Sequence, residues 1–211
     1  MPIFQLLGDN GNYLFDPENK KLVLKENGKF CSVYLGINKD NKQKVVIKKL
    51  NPALVKNLAS VERFKLESAL NIRHPNLTAV LDYITHQDDH YIVRTFVDGT
   101  DMQKFSKSKT GRKKELLSFY LRCAVGILNA LEELHKNKII HCDIRPSNMV
   151  IGFDANEEIN FSNPDIRLID FGLAKRNEQQ ANIHERIPFA LIYSPPEQVL
   201  NKAELVNATS D

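Results

Sequence analysis

The residue types in this chain that could do chemistry fall into three short stretches. Lys48 closes Val45-Val46-Ile47-Lys48. Asp143, Arg145 and Asn148 lie within His141-Cys142-Asp143-Ile144-Arg145-Pro146-Ser147-Asn148. Asp170 follows the apolar run Ile166 to Ile169 and opens Asp170-Phe171-Gly172. Cations, carboxylates and an amide in this order suit phosphoryl transfer. That reaction asks for a backbone cradle around phosphates, a fixed positive charge, oxygen ligands for a divalent ion and a carboxylate near the attacking hydroxyl. Each stretch also has a plain reading: a strand lysine is usually exposed, and Asp-Phe-Gly is an ordinary strand-to-turn sequence. The joint order and spacing carry the argument.

The elements that must position these residues change character along the chain. Roughly the first hundred residues alternate short β-rich segments with turns, and the next stretch is strongly helical, which implies two lobes. Leu22 to Leu24, Ser32 to Ile37 and Lys44 to Lys49 read as strands, the last two joined by the polar turn Asn38-Lys39-Asp40-Asn41-Lys42. The spacing predicts a helix from Leu54 to Ile72, ending before His74-Pro75, then strands near Leu77 to Thr85 and His90 to Phe96. Val97-Asp98-Gly99 reads as a linker. The strongest helix runs from Lys114 to His135 with apolar residues on nearly every face, the pattern of a helix buried on more than one side.

With 211 residues, 42% of them hydrophobic, the chain can bury a substantial core. A net charge of +3 does not make a nucleic-acid footprint, and the local excess Lys104, Lys107, Lys109, Arg112, Lys113 and Lys114 reads as a solvated loop and helix start, with a docking site for an acidic partner as the alternative. Cys31, Cys123 and Cys142 are too few and too irregular for a disulfide framework or zinc cluster, and read as reduced thiols of a cytoplasmic protein. No apolar run approaches the ~18 residues that span a bilayer, and the N-terminus lacks a signal-peptide pattern. Neither a nucleic acid nor a membrane is therefore expected as a partner.

Taken together, the stretches resemble the eukaryotic-like Ser/Thr protein kinase family. His141 to Asn148 is similar to the catalytic loop H-R-D-x-K-P-x-N, Val45 to Lys48 to V-A-I-K, and Asp170-Phe171-Gly172 to the magnesium motif. Glu26 to Val33 aligns with G-x-G-x-x-G-x-V and keeps only the middle glycine, Gly28. Tyr193-Ser194-Pro195-Pro196-Glu197 resembles Y-x-A-P-E, and Ser210-Asp211 resembles the S-D whose aspartate ties down the catalytic-loop backbone. The resemblance covers about residues 13 to 211.

It implies an α+β, protein kinase-like two-lobe fold. The N-lobe would span 1-96, with a five-stranded sheet and one main helix. A hinge would follow at 97-99, then a partial helical C-lobe at 100-211 that stops at the start of the long central helix. It further implies ATP and Mg2+, with Asp143, Lys48 and Arg145 as catalytic residues and Asn148 and Asp170 as metal ligands. Gly28, Phe30, Val33, Val46, Lys48, Glu67, Thr95, Val97, Asp101 and Val150 would contact the nucleotide or hold those that do. Glu67 is the candidate partner of Lys48, with Glu62 left open. His141 is expected to pack under Phe171 as a structural residue.

Several positions depart from that pattern. Cys142 replaces the arginine that grips an activation-loop phosphate, and Leu173 to Ile192 contains no Ser, Thr or Tyr, so activity is expected not to depend on phosphorylation there. Phe189-Ala190 replaces Gly-Thr, Arg145 replaces a lysine, and Val46 narrows the roof over adenine. Arg94 stands behind the adenine pocket, where an unpaired guanidinium is costly to bury, so it should pair with an acidic neighbour or swing to solvent. The helix from Lys114 to His135 needs cover, so the chain is expected to expose apolar surface and to call for a regulatory partner or an additional domain completing the C-lobe. The expected function is transfer of the ATP γ-phosphoryl group to Ser/Thr of a protein substrate. The alternatives are a pseudokinase or ATP-binding scaffold and, with nothing specific behind it, a small-molecule kinase.

Overall fold

The computed structural model describes residues 3–25, 29–70, 72–108, 113–176, 190 and 192–211. The chain forms two compact units. The first comprises residues 1–71 and 78–96, and the second residues 72–77 and 97–211.

The first unit is built on an antiparallel sheet of seven strands: β1 (Phe4–Leu7), β2 (Asn12–Phe15), β3 (Val23–Lys25), β4 (Cys31–Asn38), β5 (Lys44–Leu50), β6 (Val80–His86) and β7 (Asp89–Thr95). They run in the order β1-β2-β4-β5-β7-β6, with β3 also paired to β4. Period-two alternation gives the sheet two buried faces. One gathers Val45, Ile47, Tyr91 and Val93 against Leu6, Tyr13 and Phe15 of the β1–β2 hairpin. The other gathers Leu50 and Ile92 against Val61 and Phe64 of the helix α1 (Leu58–Ser68).

Among the described residues the sheet thus has seven strands where the sequence suggested five. The added hairpin is fixed by distant groups: buried Asp82 on β6 accepts from the Asp9 and Asn10 amides at 3.1 and 3.0 Å and from the Tyr13 hydroxyl at 2.7 Å. Helix α1 is shorter than expected. Asn57 caps it by accepting from Ser60 N–H at 3.0 Å, and residues before it form a separate 3-10 turn, Pro52–Leu54. β6 begins at Val80 because Asn76 and Leu77 are engaged elsewhere. Asn76 donates through Nδ2 to Ile166 O at 2.7 Å and accepts from Leu168 N–H at 2.8 Å, both in the second unit.

In the second unit β8 (Gly99–Asp101) runs directly into α2 (Met102–Lys107), whose N-terminus is capped by Asp101 accepting from Lys104 N–H at 2.8 Å. The long helix α3 (Lys113–Lys136) is followed by β9 (Ile139–Ile140), β10 (Met149–Gly152), β11 (Ile166–Leu168), β12 (Lys175–Arg176) and α4 (Pro196–Val199). β8, β10 and β11 make one small antiparallel sheet, and β9 with β12 another. Gly99 belongs to β8, where a Cβ would sit 2.1 Å from Ile151 O, so only glycine permits the strands to meet. Helix α3 buries Phe119, Cys123, Ile127, Ala130, Leu131 and Leu134, while Leu117, Leu121, Val125 and Leu128 are each more than half exposed. Its apolar residues therefore split into a packed face and an exposed one. Among the described residues no helix is long and apolar enough to cross a membrane.

Candidate active site

Three buried charged side chains meet in the first unit. Lys48 on β5 and Ile92 on β7 are directly opposite, as are Val46 and Arg94, so Lys48 and Arg94 are diagonal neighbours on the sheet face that packs against α1. Val61, Phe64 and Glu67 are the buried residues of α1, at a spacing that lines one side of a helix, whereas Glu62 is exposed. Glu67 therefore points at the sheet. Its Oε1 lies 2.5 Å from Lys48 Nζ and 3.3 Å from Arg94 NH1. Arg94 NH2 also donates to Thr78 O at 2.7 Å. The acidic neighbour of Arg94 is thus the same carboxylate that holds Lys48.

The second unit assembles the loop after β9. Asn148 Nδ2 donates to Asp143 O at 2.9 Å and to Asp143 Oδ2 at 2.7 Å, which fixes the carboxylate. Ile169 N–H donates to Asn148 O at 2.9 Å, setting Asn148 beside the residue that precedes Asp170. Asp170 has a left-handed backbone, φ 63°, and its Oδ1 accepts from Gly172 N–H at 3.4 Å. Arg145 donates from Nε to Ser147 Oγ at 2.7 Å, and its guanidinium lies 6.0 Å from the Tyr193 ring centroid.

The peptide groups that carry this loop are held from below. Asp211 accepts from His141 N–H at 2.7 Å and Cys142 N–H at 2.8 Å, and His135 Nε2 lies 2.9 Å from the same carboxylate. Gln198 Nε2 donates to Cys142 O at 2.9 Å. These bonds hold Cys142 at φ 63°, a left-handed conformation that costs a β-carbon residue about 1–2 kcal/mol. His141 is fully buried, with its ring centroid 5.0 Å from that of Phe171. Its Nδ1 accepts from Asp143 N–H at 3.3 Å and its Nε2 faces Ile169 O at 3.3 Å, the pattern of a neutral ring protonated on Nε2. Burial holds the His141 pKa below the usual imidazole range, against the opposing pull of Asp211, Asp170 and Asp143.

The remaining residues singled out in the sequence are placed as follows. Val33 lies opposite Lys48 in the β4–β5 register, and Phe30 packs near Phe64 with ring centroids 6.2 Å apart. The Thr95 hydroxyl accepts from Ala79 N–H at 3.0 Å. In the second unit Asp101 and Val150 face one another across β8 and β10, and Val97 is half-buried. Gly28, Lys109, Arg112, Phe189 and most of the segment from Leu173 to Ile192 lie outside the described residues. Sequence reasoning missed Gln198 and the Thr78 carbonyl. No local signal marks either, since one is a lone buried amide and the other a backbone oxygen.

The sequence profile of the protein kinase domain matches residues 26–211. "Mitogen-activated protein kinase 3" of rice is 26% identical over 209 residues, covering 92% of this chain and 53% of that protein. A "Probable serine/threonine-protein kinase" of Streptomyces coelicolor is 32% identical over 178 residues, 80% of this chain and 24% of its own length. One of the same description from Clostridium perfringens is 30% identical over 157 residues, 73% of this chain and 21% of that protein. The chain thus spans about half or less of the length of these relatives.

Proposed function

Since the chain belongs to the protein kinase domain family, we propose that it takes part in transfer of the ATP γ-phosphoryl group to Ser or Thr of a protein substrate. The observation that carries this reading is the brace formed by Asn148, which bonds the Asp143 carboxylate at 2.7 Å and accepts from the residue before Asp170 at 2.9 Å. A carboxylate so fixed can orient the substrate hydroxyl and take its proton. Because its amide nitrogen is engaged by Asp143, Asn148 offers its side-chain oxygen to a cation, and Asp170 offers a carboxylate. Two hard oxygen donors fit Mg2+, which takes one or two protein ligands and fills its octahedron with phosphate and water. Magnesium, when bound, neutralises charge on the phosphates. Lys48, steadied by Glu67, binds phosphate oxygens, and Arg145 positions the substrate side of the loop. Phe30, Val33, Val46, Thr95, Val97, Asp101 and Val150, with Gly28, hold the nucleotide.

Independence from activation-loop phosphorylation is part of the same proposal. The Cys142 side chain is a buried thiol and offers a phosphate no positive charge. Phosphatase treatment should leave the transfer rate unchanged. The exposed apolar stripe of α3 is proposed as the seat of a regulatory partner or further domain. A scaffold reading is favoured by Arg94, which shares the carboxylate that Lys48 needs.

The deciding experiment measures magnesium-dependent nucleotide binding and phosphate transfer to a generic basic protein, for wild type, Asp143→Asn and Asp170→Ala. Transfer lost with binding kept in Asp143→Asn supports the enzyme. Binding without transfer in the wild type supports the scaffold.

A further inference from the structure

Helix α1 has little apolar anchorage. Of its eleven residues only Val61, Phe64 and Glu67 are buried, and two of these are the apolar contacts that seat it on the sheet. The third is a carboxylate at its C-terminal end, so how α1 is held there depends on which cations Glu67 meets. If Lys48 were the sole tether, releasing its ammonium would release the helix end. Arg94 changes that. A guanidinium presents several N–H donors in a rigid planar fork and can bind two acceptors at once, which an ammonium on a flexible stem does poorly. Here the fork bonds Glu67 Oε1 at 3.3 Å and Thr78 O at 2.7 Å, joining α1 to the backbone that leads into β6. Arg94 is itself 4% exposed and rises from β7, a central strand of the sheet, so the clamp stands on a rigid element.

We propose that Arg94 is a positioning residue that keeps α1 docked through Glu67 whether or not Lys48 is engaged, making the placement of Glu67 a fixed property of the fold. In the family's general scheme the lysine–glutamate pair must be assembled, and helix position is what regulation acts on. In this chain the helix end is held by a second cation, which fits a loop position 142 that has lost the means to read a phosphate. The inference rests on the proposed role of Lys48 in binding phosphate only where it concerns nucleotide affinity. Docking of α1 is independent of that role.

The test is hydrogen–deuterium exchange on the full chain without nucleotide, comparing wild type, Lys48→Met, Arg94→Met and Arg94→Lys, with β5 and β7 amides as internal reference. Lys48→Met should leave exchange in α1 within about twofold of wild type. Arg94→Met should raise it roughly tenfold or more with β5 and β7 unmoved, since it cuts the link from Glu67 to the Thr78 carbonyl, takes the guanidinium donor from that buried oxygen and leaves Glu67 to the ammonium of Lys48 on its flexible stem. Arg94→Lys, which keeps the charge and loses the fork, should fall between them and serves if Arg94→Met does not fold. Binding of a fluorescent ATP analogue with magnesium gives a second readout. Because Arg94 acts through Glu67 and Lys48, the double variant should bind the analogue no more weakly than Lys48→Met alone. The clamp is refuted if Lys48→Met opens α1 as far as Arg94→Met, if opening spreads equally to β5 and β7, if Arg94→Lys matches wild type, or if the two losses of affinity multiply. A wild type that does not bind the analogue refutes the phosphotransfer reading and leaves the exchange result standing.

Discussion

Replacing Asp211 by alanine removes the acceptor of two backbone donors, His141 N–H at 2.7 Å and Cys142 N–H at 2.8 Å. The carboxylate itself is fully shielded from solvent. A buried donor left without a partner costs about 1–3 kcal/mol, so the pair amounts to about 2–6 kcal/mol, toward the lower end where water enters the vacated space. The loss falls on a loop already holding Cys142 in a left-handed conformation, so opening should be local. At one decade per ~1.4 kcal/mol, even a loss of about 2 kcal/mol raises exchange at His141 and Cys142 roughly thirtyfold. Mass-spectrometric or NMR-detected exchange on the full chain measures this, with the β5 amides of the first unit as control. Asp211→Asn, which retains one acceptor oxygen, should lie between wild type and Asp211→Ala. Exchange at both amides within about threefold of wild type in Asp211→Ala, or equal acceleration in β5, would refute the reasoning.

Acid should weaken the protein through His141. Its folded pKa is depressed by burial, so the unfolded chain binds the extra proton first as pH falls below about 6.5, and stability drops from there down through the lower folded value, by at most ~1.4 kcal/mol per pH unit. Denaturant midpoints between pH 7.5 and 5 should show this fall, and His141→Gln should flatten it; an unchanged slope would remove His141 as the cause. The exposed stripe Leu117, Leu121, Val125 and Leu128 should drive self-association of the isolated chain. Leu121→Lys with Val125→Glu should shift sedimentation toward monomer without lowering the melting temperature, and a wild-type monomer stable at high concentration would contradict this. Gly99→Ala should cost roughly 1–3 kcal/mol or fail to fold, because its Cβ would lie 2.1 Å from a carbonyl oxygen of β10. A melting temperature equal to wild type would show that β8 can shift.

Much of the arrangement is written in short-range pattern. The long apolar-rich run from Lys114 to His135 announces α3, and its limits fall within a residue of Lys113–Lys136. Alternating apolar residues between polar turns do the same for β4 and β5. The order of Lys48, Asp143, Asn148 and Asp170 carries the resemblance on which the proposed chemistry rests, because motif order and spacing are properties of the linear chain. What pattern does not carry is which distant group completes a contact. The β1–β2 hairpin is two four-residue strands with no strong local signal, and its hold is Asp82, about seventy residues away. Choosing Glu67 over Glu62 required knowing which side of α1 packs, and most positions of that helix are polar. For Arg94 the sequence demanded a partner or escape to solvent. Only the β5–β7 register, which sets Arg94 diagonal to Lys48 beneath one carboxylate, decides between them, because burial and pairing depend on strand neighbours that the linear order leaves open.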